Sequence, residues 1–127
     1  MRHTGAGLAI PDFPLSYGHL LPPFWTHPIA IHFAHRVGAL IVASAALFVI
    51  VSTFRRHGGH PELTRPAGIL GGLVGTQITL GAYVVLTSKQ PIVNTLHVAT
   101  GALVFVTSLV LTLRFFRARL DVPVQAR

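Results

Sequence analysis

Three stretches of this chain run without Asp, Glu, Lys or Arg for lengths that approach or exceed the thickness of a lipid bilayer, and they leave few choices of fold. They are Val37 to Phe54, Pro66 to Ser88 and Ile92 to Leu113. Coiled as a helix at 1.5 Å per residue, the first run alone covers roughly 27 Å, close to the hydrocarbon thickness. Soluble domains carry about 25% charged residues. This chain of 127 residues carries 10%, against 51% hydrophobic, and its mean hydropathy is +0.63. It lacks the polar surface to cover itself in water, so the sequence predicts an all-α integral membrane bundle of three transmembrane helices.

The first helix is expected over 28–54, with Pro28 acceptable in a first turn and the end marked by Arg55-Arg56-His57-Gly58-Gly59. A polar loop follows over 57–65. The second helix is expected over 66–87 and the third over 92–116, joined by the tight turn Ser88-Lys89-Gln90-Pro91, which makes them antiparallel neighbours. Gly68, Gly71, Gly72 and Gly75 of the second helix form overlapping small-xxx-small pairs, a pattern read first as helix packing.

Residues 1–27 read as a loop, because Gly5, Gly7, Gly18, Pro11, Pro14, Pro22 and Pro23 interrupt any regular element. Residues 1–18 are too polar for the apolar core of a signal peptide. The aromatics Phe13, Tyr17, Phe24 and Trp25 suit a lid or re-entrant segment at a membrane interface.

The formal charge of +7 does not point to nucleic acid, because the basic residues flank apolar runs instead of gathering on a solvated face. Arg55, Arg56 and Arg65 lie between the first two helices, and Arg114, Arg117 and Arg119 at and after the end of the third, against Lys89 alone in the other turn. That bias puts the Arg-rich ends and the 117–127 tail in the cytoplasm and the N-terminal loop outside. The first and third helices then run parallel, both starting outside.

Chemistry is confined to few residues. The chain has no cysteine and only three carboxylates, Asp12, Glu62 and Asp121, so disulfides, thiolate ligands and iron–sulfur clusters are excluded and any metal falls to histidine. His32, His35 and Arg36 stand at the mouth of the first helix, where ionisable groups are costly and therefore candidates for function. His35 lies seven residues past Pro28 and His97 six past Pro91, which places both about 9 to 10 Å below the outer helix starts. Two imidazoles at one depth on parallel helices suit the two axial positions of a haem iron.

Gly38 and Ala39 one turn below His35, and Gly101 one turn below His97, are small enough to leave room for a macrocycle. Arg36 suits a propionate, and Thr95 and Thr100 suit orienting an imidazole through its other nitrogen. His32 shares the side of His35 and Arg36 and reads first as a supporting residue beside the ligand, with proton relay and entrance residue as alternatives. A zinc site from His32, His35 and His97 lacks an evident fourth ligand. Either ligand histidine, taken alone, also suits a ring lying half wet at the interface.

Four segments carry a resemblance. HTGAGLAIPDFPLSYG, IHFAHRVGAL, QITLGAYVVLT and LHVATGALVFVTSLVLTLR, in order and at fitting spacing, resemble haem A synthase over nearly the whole chain. The resemblance implies a four-helix half of a pseudo-symmetric eight-helix protein, each half offering two histidines to a haem, and oxidation of the C8 methyl of haem O to a formyl group for cytochrome oxidase. His35 matches the family's HR histidine and His97 the histidine opening the last helix of a half. The catalytic half carries a Glu three residues before its HR histidine, where this chain has His32; many relatives carry cysteines where Ile10 and Ser16 stand.

Met1 falls where the half's first helix would end. The chain therefore resembles the C-terminal, cofactor-haem half without that helix. The implied cofactor is haem b, with haem O the substrate of a partner half. The implied partners are an N-terminal-type half or further copies of the chain, the lipid bilayer and haem O synthase, and the implied location is the plasma (inner) membrane. A non-catalytic haem b electron-transfer or assembly subunit is the rival reading, and a membrane fragment that needs a neighbour to fold is the third.

Overall fold

The computed structural model describes residues 8–120; His3, the Gly5 and Gly7 of the first motif and the tail beyond Leu120 lie outside the described residues. Among the described residues three helices follow in the order α1 (His27–His57), α2 (Pro61–Leu86) and α3 (Pro91–Leu120). Each is long and apolar enough to cross a membrane, so the all-helical membrane bundle expected from the uncharged runs is what the chain forms. The connections Gly58–His60 and Thr87–Gln90 are short, which makes consecutive helices antiparallel neighbours. Packing is of α1 on α2 and of α2 on α3, with α2 in the middle.

The helices overrun the expected bounds, most clearly where α2 starts at Pro61 instead of near Pro66 and shrinks the 57–65 loop to three residues. Pro61 occupies the first turn, where a missing N–H costs nothing. Pro66 then sits inside the helix and leaves the carbonyl of Glu62, four residues earlier, without its helical donor. Arg114 of α3 replaces that donor: its Nη1 donates to the Glu62 carbonyl at 2.7 Å. An arginine of the sequence's topology signal thus also ties α3 to the start of α2.

The apolar core lies in the Arg-rich half of the bundle. Leu63, Ala67, Leu70 and Leu111 are buried together, with Ile50, Val74, Val104 and Phe115 packed around them, so all three helices contribute. Gly68 and Gly71 face Phe54 and Ile50 of α1, whereas nothing lies within 4 Å of where a Cβ on Gly72 or Gly75 would stand. Half of the small-residue pattern seats α1, and the other half is an open face of α2. Most remaining apolar side chains point outward, including Leu40, Phe48, Leu103 and Phe105, as expected where lipid is the solvent.

Candidate functional site

The end of the bundle opposite the Arg-rich one carries a cluster of polar groups. Residues 8–26 fold back over the start of α1 and are held there by Arg36. Its Nη1 donates to the Leu15 carbonyl at 2.8 Å, and its Nη2 donates to the carbonyls of Asp12 at 2.6 Å and Ile10 at 3.5 Å. The guanidinium also lies 5.9 Å from the centre of the Phe13 ring, within cation–π range. A planar cation with several donors suits three carbonyls converging from one loop.

Asp12 closes the loop on itself. Its carboxylate accepts from the backbone N–H groups of Tyr17 and Gly18, each at 2.8 Å. These bonds, Gly18's foremost, hold the carboxyl below the ordinary aspartate range, with Arg36 adding to the effect. Tyr17 and Gly18 both take positive φ, 56° and 78°, and the paired Ser16 and His19 backbones bracket them at 2.7 and 3.1 Å. The Tyr17 hydroxyl donates to the Ala9 carbonyl. Ile10 is 0% exposed and Ser16 2%, so the loop buries two of its own side chains and is fastened without a disulfide.

His32 belongs to this fastening. It is 4% exposed, and its Nδ1 accepts from the Ile10 N–H at 3.2 Å. Arg36 Nε approaches Nε2 at 3.3 Å. A neutral imidazole has one lone pair for two donors. The carbonyls occupy Arg36 Nη1 and Nη2 and not Nε, but the Ile10 contact is the shorter, and its fully buried N–H has no other acceptor among the described residues, so Nδ1 is assigned as the accepting nitrogen and the Nε contact is not counted as a hydrogen bond.

His35, one position before Arg36, is exposed and makes no hydrogen bond among the described residues. Beside it, Gly38 has nothing within 4 Å of a Cβ position, so this flank is as bare as the spacing suggests. His97 is half-buried and turned toward α2, with its Cε1 3.2 Å from where a Cβ on Gly81 would stand. Its Nε2 lies 3.5 Å from Gln77 Nε2, a weak contact at best. Among the described residues its Nδ1 is buried without a partner, as is Gln77 Oε1.

Gly101 is not bare, since Gln77 Nε2 stands 3.0 Å from its Cβ position. Thr95 spends its hydroxyl on the Pro91 carbonyl at 2.8 Å, and Thr100 is half-buried. Among the described residues no three His, Asp or Glu side chains gather as they would around a metal ion, so the three-histidine zinc alternative does not form: His32 faces the loop and His97 faces α2. Gln77 and Gly81 escaped sequence reasoning; the signal for Gln77 was an amide in mid-span, where a polar group needs a partner.

Fold and site define the class first: a multi-pass helical membrane protein that carries a fastened polar loop and two differently placed histidines at one end. The chain belongs to the cytochrome oxidase assembly protein family, whose model matches residues 1–109. It is similar to proteins named heme A synthase. That of Halalkalibacterium halodurans is 30% identical over 107 residues, covering 84% of this chain and 36% of the relative. That of Symbiobacterium thermophilum is 33% identical over 97 residues, 76% and 31% respectively, and that of Allorhizobium ampelinum 30% over 129, 93% and 35%. The chain thus spans about a third of the length of the curated relatives it matches. No solved structure matches it significantly.

Proposed function

We propose that this chain is a haem-binding half of a haem A synthase-type assembly, resembling its C-terminal half, with His35 and His97 as axial ligands of a haem b. One observation carries the reading. Among the described residues two imidazoles on α1 and α3 are left uncommitted at one end of the bundle: His35 has no hydrogen bond and an open flank at Gly38, and His97 has a buried ring nitrogen with no partner. An orphaned buried polar atom costs about 1–3 kcal/mol, which a ligand from outside the chain would offset. Two histidines with no competing thiolate or nearby carboxylate suit a haem iron in kind.

The bound haem would supply one-electron transfer. The chain's residues do the rest: His35 and His97 hold the group, Gly38 leaves it room, and Arg36 and His32 hold the loop across the same end. Gly101 and Thr100 border His97 on α3. The oxidation of the haem O methyl to a formyl group would occur in a partner half that carries the carboxylate, because His32 stands where the catalytic half has Glu and its accepting nitrogen is committed to Ile10. The partner half is an N-terminal-type half or a further copy of this chain, and haem O synthase is the source of the substrate. The Arg-rich ends face the cytoplasm and the loop faces outward from the plasma membrane.

The test is an absorption spectrum of the detergent-purified chain, oxidised and dithionite-reduced, with the haem identified in alkaline pyridine. Sharp low-spin b-type bands are expected, lost in His35→Ala and in His97→Ala and retained in His32→Ala. Loss in the His32 variant with retention in the other two overturns the ligand assignment. A non-catalytic electron-transfer or assembly subunit is favoured by His32 at the Glu position. Conversion of haem O only on co-expression with a Glu-containing half supports the half-enzyme, and no conversion in the pair supports the subunit.

A further inference from the structure

The loop that Arg36 and His32 fasten from within has a second side, which the haem reading does not use. Leu20 is 84% exposed, Leu21 63%, Phe24 51% and Trp25 57%. Four large apolar side chains within six residues, on a loop that Arg36 ties to α1 through the Ile10, Asp12 and Leu15 carbonyls, leave a sizeable patch without a cover among the described residues.

Three observations say what covers it. The patch runs straight into α1, which begins at His27 and is a membrane-spanning segment, so its surface is continuous with a lipid-facing one. No Asp, Glu, Lys or Arg occurs between Asp12 and Arg36, so no formal charge opposes entry into the interface. Trp25 does not project away from the helix start: its ring packs edge-to-face on Phe33, with centroids 5.4 Å apart and planes at 89°. Phe33 lies six residues into α1, about 9 Å down its axis, so the indole lies alongside the outer turns of the membrane helix.

We infer that the segment Leu20–Trp25 is a lipid anchor that inserts into the outer interface of the bilayer, with the Trp25 and Phe24 rings at the headgroup–acyl boundary. Amphipathic elements bury their apolar side about 5–10 Å deep at that boundary, and Trp is enriched there because one end of the ring tolerates water. Lipid on one side and the Arg36 clamp on the other fix the loop between two supports. The inference needs only the loop and α1 and stands apart from haem binding.

The chain contains a single tryptophan, so its fluorescence reports this position alone. The experiment is quenching of Trp25 in the full chain, reconstituted in phosphatidylcholine–phosphatidylglycerol nanodiscs whose acyl chains are brominated at shallow or deep carbons, with aqueous iodide as the opposing quencher. Strong quenching by shallow bromines, weaker by deep ones and little by iodide is the expected pattern. Leu20→Ser/Leu21→Ser should lower lipid quenching and raise iodide quenching while the Ile10 amide keeps its exchange protection. Iodide quenching with no bromine effect in the wild-type chain overturns the anchor in favour of a solvated loop. Insensitivity to both quenchers overturns it in favour of a protein cover, whether a second copy or another partner.

Discussion

At the scale of single residues, the loop-covered end is governed by how a few polar groups divide their partners. Arg36 serves carbonyls of one loop, and a hydrogen bond to a charged group is worth about 1.5–3 kcal/mol. Arg36→Ala is expected to release residues 8–19, seen as lost amide-exchange protection at Ile10, Tyr17 and Gly18, with α1 still helical; Arg36→Lys restores little, because an ammonium lacks the planar fork. His32→Ala leaves the buried Ile10 N–H unsatisfied, at about 1–3 kcal/mol, whereas His32→Asn, with an acceptor placed much as Nδ1 is, should keep its protection. Asp12 gives the loop an acid limit. Its folded-state carboxyl titrates below the ordinary value, chiefly through the Gly18 N–H, so its contribution is full above the unfolded value of about 3.9 and is lost as pH falls through the lower folded one. Protection of Tyr17 and Gly18 should therefore hold from neutrality to about pH 4 and fall below it, and Asp12→Asn should remove that acid limb by weakening the turn at every pH.

At the scale of the helices, small residues and one arginine decide how closely the elements meet. A Cβ on Gly81 would stand 3.2 Å from His97 Cε1, so Gly81→Val is expected to push α3 from α2 at the depth of His97, lowering the thermal midpoint in detergent and weakening any haem spectrum. Gly72→Ala meets nothing within 4 Å and should stabilise the isolated chain by about 0.5–1 kcal/mol through helix propensity; loss of stability would mean that the Gly72 face packs on a neighbouring helix. Arg114→Ala strands the Glu62 carbonyl that Pro66 cannot serve, and the first turn of α2 should fray, measured as faster exchange of the Thr64 and Arg65 amides. Short-range rules located the three spans, but the start of α2 escaped them: Pro66 reads as a boundary until an arginine fifty-two residues from Glu62 is known to satisfy the Glu62 carbonyl that Pro66 orphans.

At the scale of the whole molecule, the chain is a membrane bundle with a packed core at its Arg-rich end and a polar loop covering the opposite end. Apolar side chains exposed along all three helices are at home in lipid or against further helices, so extraction into a detergent that strips bound lipid should cost more stability than one that retains it, read as a lower thermal midpoint. The sequence by itself determined the helical class, the number of spans, their antiparallel order and how few side chains are available for chemistry. Those follow from uncharged run length, turn length and the scarcity of polar side chains, all local along the chain. Only the tertiary structure decided what each polar group faces. Arg36 meets loop carbonyls, His32 spends its acceptor on Ile10, Gln77 fills the space beside Gly101, and His97 turns to Gly81 while His35 stays open. Such pairings join residues sixteen or more positions apart. They depend on how helix faces rotate toward one another, and helical periodicity fixes that rotation poorly where nearly every face is apolar.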